Sequence, residues 1–242
     1  MQTKEMIVRE IRAALEHDPR INLHSHPISV NITDSALVLE GEVENIAAKR
    51  LALKRATAVN GTKSIVDKLR VIRTEHKGDG AIRDSVCRFI LGEPALRNCA
   101  VLARIKGQSE VQRDRGLEPC GQIEVAVEDG VVTLTGEAAS LSHKRLAEVL
   151  ARWTPGCRDV VNKLKVVPHQ EDNDDEITDT LRMVLERDPL IRDAGQILLR
   201  TRDRVVTLQG LVKTQEERKA AELNAWYISG VEDVINRIEV QS

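Results

Sequence analysis

The sequence is poor in aromatic residues, which limits how its core can be built. Its 242 residues include one Phe, one Tyr and two Trp, or 2% of the chain. The apolar content of 41% and the charged content of 31% are those of an ordinary globular protein and exclude a chain that is disordered throughout. The core must therefore be aliphatic.

Long apolar runs and a basic excess are also missing. No run approaches the roughly 18 apolar residues of a membrane span. The first residues, MQTKEMIVREIRAALEHDP, predict an amphipathic helix instead of a secretory signal. A net charge of −2 is unlike that of a general nucleic-acid-binding protein. We expect a cytoplasmic protein, peripheral if it meets a membrane, with no transmembrane segment and no nucleic-acid partner.

Signals for catalysis and metal binding are absent or weak. The sequence has no P-loop, GxGxxG, GxSxG or HExxH motif. His24 and His26 could supply two metal ligands, but no second cluster with finger-like spacing accompanies them. We expect no enzyme activity, no catalytic residue, no cofactor and no metal.

The four cysteines include no CxxC pair; they are Cys87, Cys99, Cys120 and Cys157. In a chain without a secretory signal, this usage is more typical of free thiols than of a disulfide framework. Whether Cys99 and Cys120 pair is left open by the sequence.

One cassette occurs three times, at residues 36–71, 131–166 and 205–240. Each copy has two glycines twenty residues apart, and these are Gly41 and Gly61, Gly136 and Gly156, and Gly210 and Gly230. Such registration predicts one folded unit used three times. We call the units repeats 1, 2 and 3 and place them at residues 1–74, 78–168 and 174–242.

Each repeat is expected to begin with an amphipathic helix and a hairpin. Apolar residues four apart form the buried stripe of the helix. The hairpin turns are predicted at Asp34, Asp129 and Asp203, and Asp129-Gly130 is the strongest turn signal.

A second helix and a third strand complete each repeat. Asn45, Ser140 and Thr214 predict N-caps, and Thr214 with Glu217 predicts a capping box. The first cassette glycine is expected to end the second strand, and the second glycine is expected to cap the helix. A strand–helix–strand link implies a parallel pair. The expected fold is α+β: three tandem α-β-β-α-β units, each a three-stranded mixed sheet with two helices on one face.

Repeat 2 departs from this plan. Pro94 and Gly136 are 42 residues apart, against 22 and 21 residues for the corresponding pairs in repeats 1 and 3. About 20 residues are thus inserted near 98–120, and GQSEVQRDRGLEP within them predicts an exposed polar loop. We expect an elaboration that packs on a neighbour, with a binding loop as the alternative.

The cassette resembles the BON domain (bacterial OsmY and nodulation domain). The two glycines carry the resemblance, together with a V-x-N-x-L-x-V strand at Val66–Val71, Val160–Val166 and Val234–Val240, in which Asp67 replaces Asn in repeat 1. It covers almost the whole chain. The resemblance implies a non-enzymatic bacterial stress-response protein that binds phospholipid or mediates contacts. One cytoplasmic type in the family senses potassium.

A basic dipeptide recurs at the start of the second helix, and aromatic residues lie near its end. The candidate binding residues are Lys49, Arg50, Lys54, Arg55, Lys144, Arg145, Arg218, Lys219, Trp153, Trp226 and Tyr227. The cations could meet lipid headgroups while the aromatic rings enter the interface. The alternative is a solvated helix face whose long stems cover apolar surface.

Asp67, Asn162 and Asn236 share a position on the core-facing side of the third strand. A ligand could use them, but we expect each side chain to bind a neighbouring backbone group.

The predicted function is that of a binding or scaffold protein on an anionic phospholipid surface, or with a protein partner there. Residues 1–75, 76–168 and 169–242 carry net charges of +2, +2 and −6, so an anionic partner must meet a local patch. The alternative is a cytoplasmic sensor of a small ligand or a cation such as potassium, using clefts between repeats. A third possibility is an assembly block without a small ligand. The oligomeric state is open.

Overall fold

The structure is a computed structural model that describes residues 3–33, 36–59, 64–72, 75–114 and 120–241. Several predictions fall outside these ranges, on Asp34, Gly61, Thr74 and residues 115–119 of the insert. The chain divides into two compact units, Met1–Ile72 and Arg73–Ser242. Repeat 1 forms the first unit, and repeats 2 and 3 share the second.

The first unit has two helices and one three-stranded sheet. Its elements are α1 (Lys4–Glu16), β1 (Ile28–Ile32), β2 (Leu37–Val43), α2 (Ile46–Thr57) and β3 (Ile65–Val71). The strand order is β1-β2-β3, with the first pair antiparallel and the second parallel. The two helices contact each other, and both contact the sheet. The core between them is aliphatic, as the scarcity of aromatic residues requires.

Repeat 2 has a larger sheet than the sequence predicts. Its elements are α3 (Asp79–Gly92), a 3₁₀ turn (Pro94–Leu96), β4 (Ala100–Ile105), β5 (Gln108–Arg113), β6 (Gly121–Glu128), β7 (Val131–Ala138), α4 (Leu141–Arg152), β8 (Asp159–Asn162) and β9 (Lys165–Val166). The strand order is β5-β4-β6-β7-β8, and β9 also pairs with β7. The α+β class is confirmed, but the prediction of a three-stranded sheet is wrong for this repeat.

The inserted residues form the β4–β5 hairpin where the sequence predicts a polar loop. β4 lies parallel to β6, and β5 pairs with β4 at the edge of the sheet. Cys99 and Cys120 form a disulfide at the base of the hairpin, which corrects the expectation of free thiols; Cys87 and Cys157 are free. Arg113 donates to three backbone oxygens in and after the last turn of α3. The hairpin is therefore fixed to its own repeat.

Repeat 3 returns to three strands. Its elements are α5 (Asp174–Leu185), a 3₁₀ turn (Ala194–Gln196), β10 (Ile197–Arg202), β11 (Val205–Val212), α6 (Gln215–Tyr227) and β12 (Asp233–Val240). The order is β10-β11-β12, antiparallel and then parallel. None of the helices in the described ranges has the length and apolar character needed to cross a membrane.

The predicted N-caps are confirmed. Asn45, Ser140 and Thr214 each accept a hydrogen bond from the backbone N–H three residues later, and Thr214 forms the capping box with Glu217. These bonds satisfy N–H groups that have no partner within the helix. The second helix of each repeat therefore begins where the sequence predicts.

The glycine predictions need correction. Gly41, Gly136 and Gly210 lie inside β2, β7 and β11, so the first cassette glycine does not end its strand. Gly156 and Gly230 have positive φ angles of 91° and 97°, but they follow a short turn beyond the ends of α4 and α6. They close that turn and do not cap the helix directly.

Repeats 2 and 3 pack through their helices, because α4 contacts both α5 and α6. Trp153 Nε1 donates to Asn224 Oδ1 at 3.0 Å. Arg187 Nε lies 2.9 Å from a carboxylate oxygen of the buried Glu93. Polar bonds across this contact fix the two repeats to each other.

Candidate functional site

The first basic dipeptide is partly internal. Lys49 is buried, with Nζ 2.9 Å from Asp67 Oδ2 and 2.8 Å from the carbonyl oxygen of Leu69. It therefore links α2 to β3 and is not available to a headgroup while the repeat is folded. Arg50 and Lys54 are half-buried.

Arg55 is exposed but forms an ion pair with Asp18. Its Nη2 lies 2.9 Å from Asp18 Oδ2, and Arg20 donates to both oxygens of the same carboxylate. The hydrogen bonds from Arg20, followed by those from Arg55, outweigh burial and lower the pKa of Asp18 from 3.8 to about 2. This cluster joins the end of α1 to α2.

Acid should weaken the first unit through Asp18. Because the folded-state pKa lies below the unfolded value, the carboxylate stabilises the fold above pH 3.8 and loses this effect as pH falls towards 2. Arg20 and Arg55 are 38% and 43% exposed, so solvent screening reduces the effect to about 1–2 kcal/mol. Chemical denaturation from pH 2 to 6 should show that Asp18→Asn removes this part of the pH dependence.

The control for Asp18→Asn is Glu44→Gln in the same unit. Glu44 is exposed and forms no ion pair with the described residues. Its variant should keep the pH dependence of the wild type. A pH dependence unchanged by Asp18→Asn would contradict the assignment.

The two residues of the second dipeptide have different surroundings. Arg145 is 2% exposed; its Nε donates to the carbonyl oxygen of Ser229 at 2.8 Å and its Nη2 to Asp172 at 2.5 Å. Its Nη1 is buried without a hydrogen-bond partner among the described residues. Lys144 is half-buried and lines a surface cleft. Arg145 thus joins repeats 2 and 3, whereas Lys144 faces solvent.

The third dipeptide and the aromatic residues also differ among themselves in how far their side chains are buried. Arg218 is half-buried and Lys219 is exposed. Trp226 is 1% exposed and belongs to the core, which argues against its entry into a lipid interface. Trp153 and Tyr227 are half-buried, and burial raises the pKa of Tyr227 to about 12. The predicted residues therefore do not form one exposed cationic surface.

A different surface combines exposed cations with apolar side chains. α5 and α6 pack against one face of the repeat 3 sheet and bury the side chains on that face. We call the exposed set on the opposite face the arginine face. Its basic and apolar members are Leu198, Arg200, Arg202, Leu211, Ile235 and Arg237, and the carboxylate residue Glu239 lies beside Leu211 at one end of it.

Strand register gives the arginine face two central rows without a carboxylate. One row is Arg200, Thr207 and Ile235, and the other is Leu198, Gln209 and Arg237. Leu198 is 65% exposed and Ile235 is 41% exposed. Arg200 and Arg237 make no ion pair within the described part of the chain. The centre of this face is therefore both cationic and apolar.

On the corresponding faces of the other repeats, an acidic group pairs with a cation, unlike at Arg200 and Arg237. In repeat 1, Glu40 lies 3.9 Å from Lys68. In repeat 2, Glu124 lies 3.5 Å from Arg104 and accepts a hydrogen bond from Ser109. Among the described faces, repeat 3 thus offers the most favourable site for an anionic partner.

The described residues contain no group of three or more His, Cys, Asp or Glu placed to hold a metal, and this includes the region of His24 and His26. Burial raises the pKa of Cys157 to about 12 and that of Cys87 to about 11. Both thiols therefore stay protonated at neutral pH and are weak nucleophiles.

Three regions, residues 3–73, 102–168 and 173–242, match the BON domain. The chain belongs to the BON domain family. Osmotically-inducible protein Y of Escherichia coli (strain K12) is 31% identical to it over 160 residues, which cover 66% of this chain and 70% of that protein. The family resemblance of the repeated cassette is thereby confirmed.

Solved structures of CdsD, described as a structural protein of the Type III secretion system of Chlamydia trachomatis, show a weaker likeness. The C-terminal domain matches with a TM-score of 0.24 and 13% identity over 100% of both chains. A second CdsD structure gives a TM-score of 0.25 and 14% identity over 97% of this chain and 92% of its own. At such TM-scores the likeness carries no argument.

In each BON repeat, the strand that follows the second helix (β3, β8 or β12) has one polar side chain that binds this helix. Asn162 and Asn236 donate to the carbonyl oxygens of Lys144 and Arg218, at 2.9 Å and 3.1 Å. In repeat 1, Asp67 instead pairs with the buried ammonium of α2, and its Oδ1 accepts a backbone N–H. The prediction that this position binds backbone groups is confirmed.

Sequence reasoning missed the arginine face of the third BON repeat. A signal was present in the sequence. Leu198, Arg200 and Arg202 occupy every second position of β10, and Ile235 and Arg237 do so in β12. Such alternation places apolar and cationic side chains together on one face. Only the strand register shows that the two strands combine these residues in common rows.

Proposed function

We propose that this chain is a non-enzymatic BON-domain protein that attaches to anionic phospholipid surfaces through the arginine face of repeat 3. One observation carries the proposal. Arg200 and Arg237, which have no ion-pair partner in the described chain, lie beside exposed apolar side chains on a sheet face that no helix covers. Basic groups near an anionic membrane contribute about 1 kcal/mol each. Leu198 and Ile235 would enter the interface between the headgroups.

The charge distribution of repeat 3 favours this orientation. Residues 169–242, which include repeat 3, have a net charge of −6, although the arginine face is basic. The acidic first turn of α5, which contains Asp174, Asp175 and Glu176, belongs to the helix layer on the opposite side of the sheet. An anionic surface would attract the sheet face and repel the helix layer. Similarity to osmotically-inducible protein Y supports a role of this attachment in osmotic stress.

Co-sedimentation with vesicles tests the proposal. The full chain should bind vesicles that contain phosphatidylglycerol at low salt, and it should bind much less to phosphatidylcholine alone. Arg200→Glu with Arg237→Glu should weaken binding at least tenfold, because two favourable charges of about 1 kcal/mol each are reversed. Added salt should weaken wild-type binding in the same direction.

Lys213→Glu with Lys219→Glu is the matched control. It makes the same change in net charge at two exposed lysines near the start of α6. This variant should bind like the wild type. Equal wild-type binding to anionic and neutral vesicles would contradict the proposal, and so would loss of binding in the lysine variant alone.

A further inference from the structure

Repeat 2 shows what can occupy the edge of the sheet in this fold. Its strand β6 occupies the position that β1 has in repeat 1, since Gly136 and Gly41 are the same cassette residue. β4 lies parallel to β6, with Val101 opposite Ile123 and Ala103 opposite Val125. Val101 and Ala103 are buried, and β4 also contacts α3. A strand added at this edge therefore fills the space between the sheet and the first helix.

In repeat 1 the same edge is open. Within the described residues, β1 pairs only with β2. The N–H of Thr33 donates to the carbonyl oxygen of Ala36 at 2.9 Å. This bond determines which residues of β1 form backbone hydrogen bonds with β2, because such residues alternate along an antiparallel strand. Ile28, Val30 and Ile32 consequently direct their N–H and C=O groups away from β2. An open edge of this kind can accept another extended segment.

A groove of 660 Å³ runs between this edge and α1. Val8, Ala13, Val30 and Ile32 give it an apolar lining. Its charged lining residues are Lys4, Arg9 and Arg12 with Glu5 and Glu16, a net charge of +1 (three cations and two anions). These two arginines form no ion pair with any described residue. The groove thus combines an apolar floor with a small excess of positive charge and with two arginines that an acidic ligand could pair with.

We propose that the edge of β1 and this groove bind an extended acidic segment of a partner protein, which adds as a strand parallel to β1. Small apolar side chains of that segment would take the places that Val101 and Ala103 occupy in repeat 2, and its carboxylates would face Arg9 and Arg12. Strand addition provides main-chain hydrogen bonds, while alternate side chains provide specificity. The proposal is independent of the arginine face, which belongs to the other compact unit.

The geometry favours a partner segment over a second copy of β1. Two copies of one edge related by a twofold axis run antiparallel, whereas β4 runs parallel to β6. Symmetric pairing of two repeat 1 edges would also bring the unpaired arginines of both copies towards one interface. Like charges at such positions oppose association.

The corresponding groove of repeat 3 is smaller, at 340 Å³, and it is lined by the 3₁₀ turn Ala194–Gln196. Arg182 and Glu186 of α5 lie beside it. The charged lining of this groove sums to zero, against +1 in repeat 1, so it offers less attraction to an acidic segment. Repeat 1 is therefore the better acceptor.

The test uses a fluorescent synthetic peptide with the β4 sequence, Ala-Val-Leu-Ala-Arg-Ile, flanked at each end by two aspartates. Fluorescence anisotropy with the full chain should give saturable binding with a Kd of about 100 µM or tighter, corresponding to about 5 kcal/mol. Arg9→Glu with Arg12→Glu should weaken peptide binding at least tenfold. Arg182→Glu, at the position in repeat 3 that corresponds to Arg12, should leave peptide binding unchanged.

A second peptide, N-methylated at alternate residues, separates strand addition from simple charge attraction. It keeps the charges but loses N–H donors, so it should not bind. Equal binding of both peptides would overturn the proposal. Absence of saturable binding, or dimerisation of the chain that Arg9→Glu with Arg12→Glu abolishes, would overturn it as well.

Discussion

Gly136→Ala is expected to lower the free energy of unfolding of the second unit by about 3 kcal/mol or more. Gly136 has a φ of 117°, and a Cβ added there would lie 2.1 Å from the carbonyl oxygen of Gln122 on the neighbouring strand. That oxygen belongs to the backbone, so β6 and β7 would have to separate. Gly41 and Gly210 have the same close approach, to Pro27 and Gln196. The shared position therefore explains why the cassette repeats this glycine.

Gly92→Ala is the matched control for Gly136→Ala in the same repeat. Gly92 is exposed in the last turn of α3, and a Cβ there would meet no atom within 4 Å. Alanine is favoured over glycine in a helix, so stability should stay equal or rise by up to about 1 kcal/mol. Urea denaturation followed by circular dichroism measures both variants. Equal losses for the two would refute the explanation.

The parts of the fold that depend on local chemistry could be predicted from the sequence. The N-caps needed only a Ser, Thr or Asn before an apolar-periodic run. The hairpin turn at Asp129-Gly130 has φ angles of 50° and 74°, as expected for residues that tolerate positive φ. Asp203 forms a similar turn with a φ of 50°. The α+β class followed because these local signals recur in register.

The inserted hairpin could not be predicted because its strands have no local signature. β5 is exposed along almost its whole length, so its residues do not alternate between apolar and polar. β4 pairs with a strand about twenty residues later in a parallel arrangement, and such pairing depends on the whole sheet. The Cys99–Cys120 disulfide depends on the same hairpin, which brings the two Cα atoms within 4.7 Å.

The candidate site was predicted less well because burial of a cation depends on what packs over it. Lys144 and Arg145 are adjacent in sequence, and helical periodicity alone assigns neither to an interface. Repeat 3 covers Arg145 and leaves Lys144 half-exposed. Lys49 is covered within its own repeat, where Asp67 replaces the asparagine of the other two.

Arg145→Ala is expected to cost the second unit about 3 kcal/mol, because removing one member of a buried pair leaves its partners unsatisfied. The partners are Asp172 on the segment between the repeats and the carbonyl oxygen of Ser229 after α6. Asp172 can regain water, since its side chain is 33% exposed, which places the cost near the lower end of the range for buried pairs. The two tryptophans, Trp153 and Trp226, lie in repeats 2 and 3 and report on the loss by intrinsic fluorescence during urea unfolding.

Lys144→Ala provides the comparison for Arg145→Ala, because it removes the neighbouring cation of the same dipeptide. Its side chain makes no ion pair with described residues, so stability should change by about 0.5 kcal/mol or less. Vesicle binding of the two variants should match the wild type wherever they remain folded, since neither residue belongs to the arginine face. A small and equal cost for both variants would mean that Arg145 does not join the repeats. Lost vesicle binding in Lys144→Ala would return the attachment site to the starts of the helices.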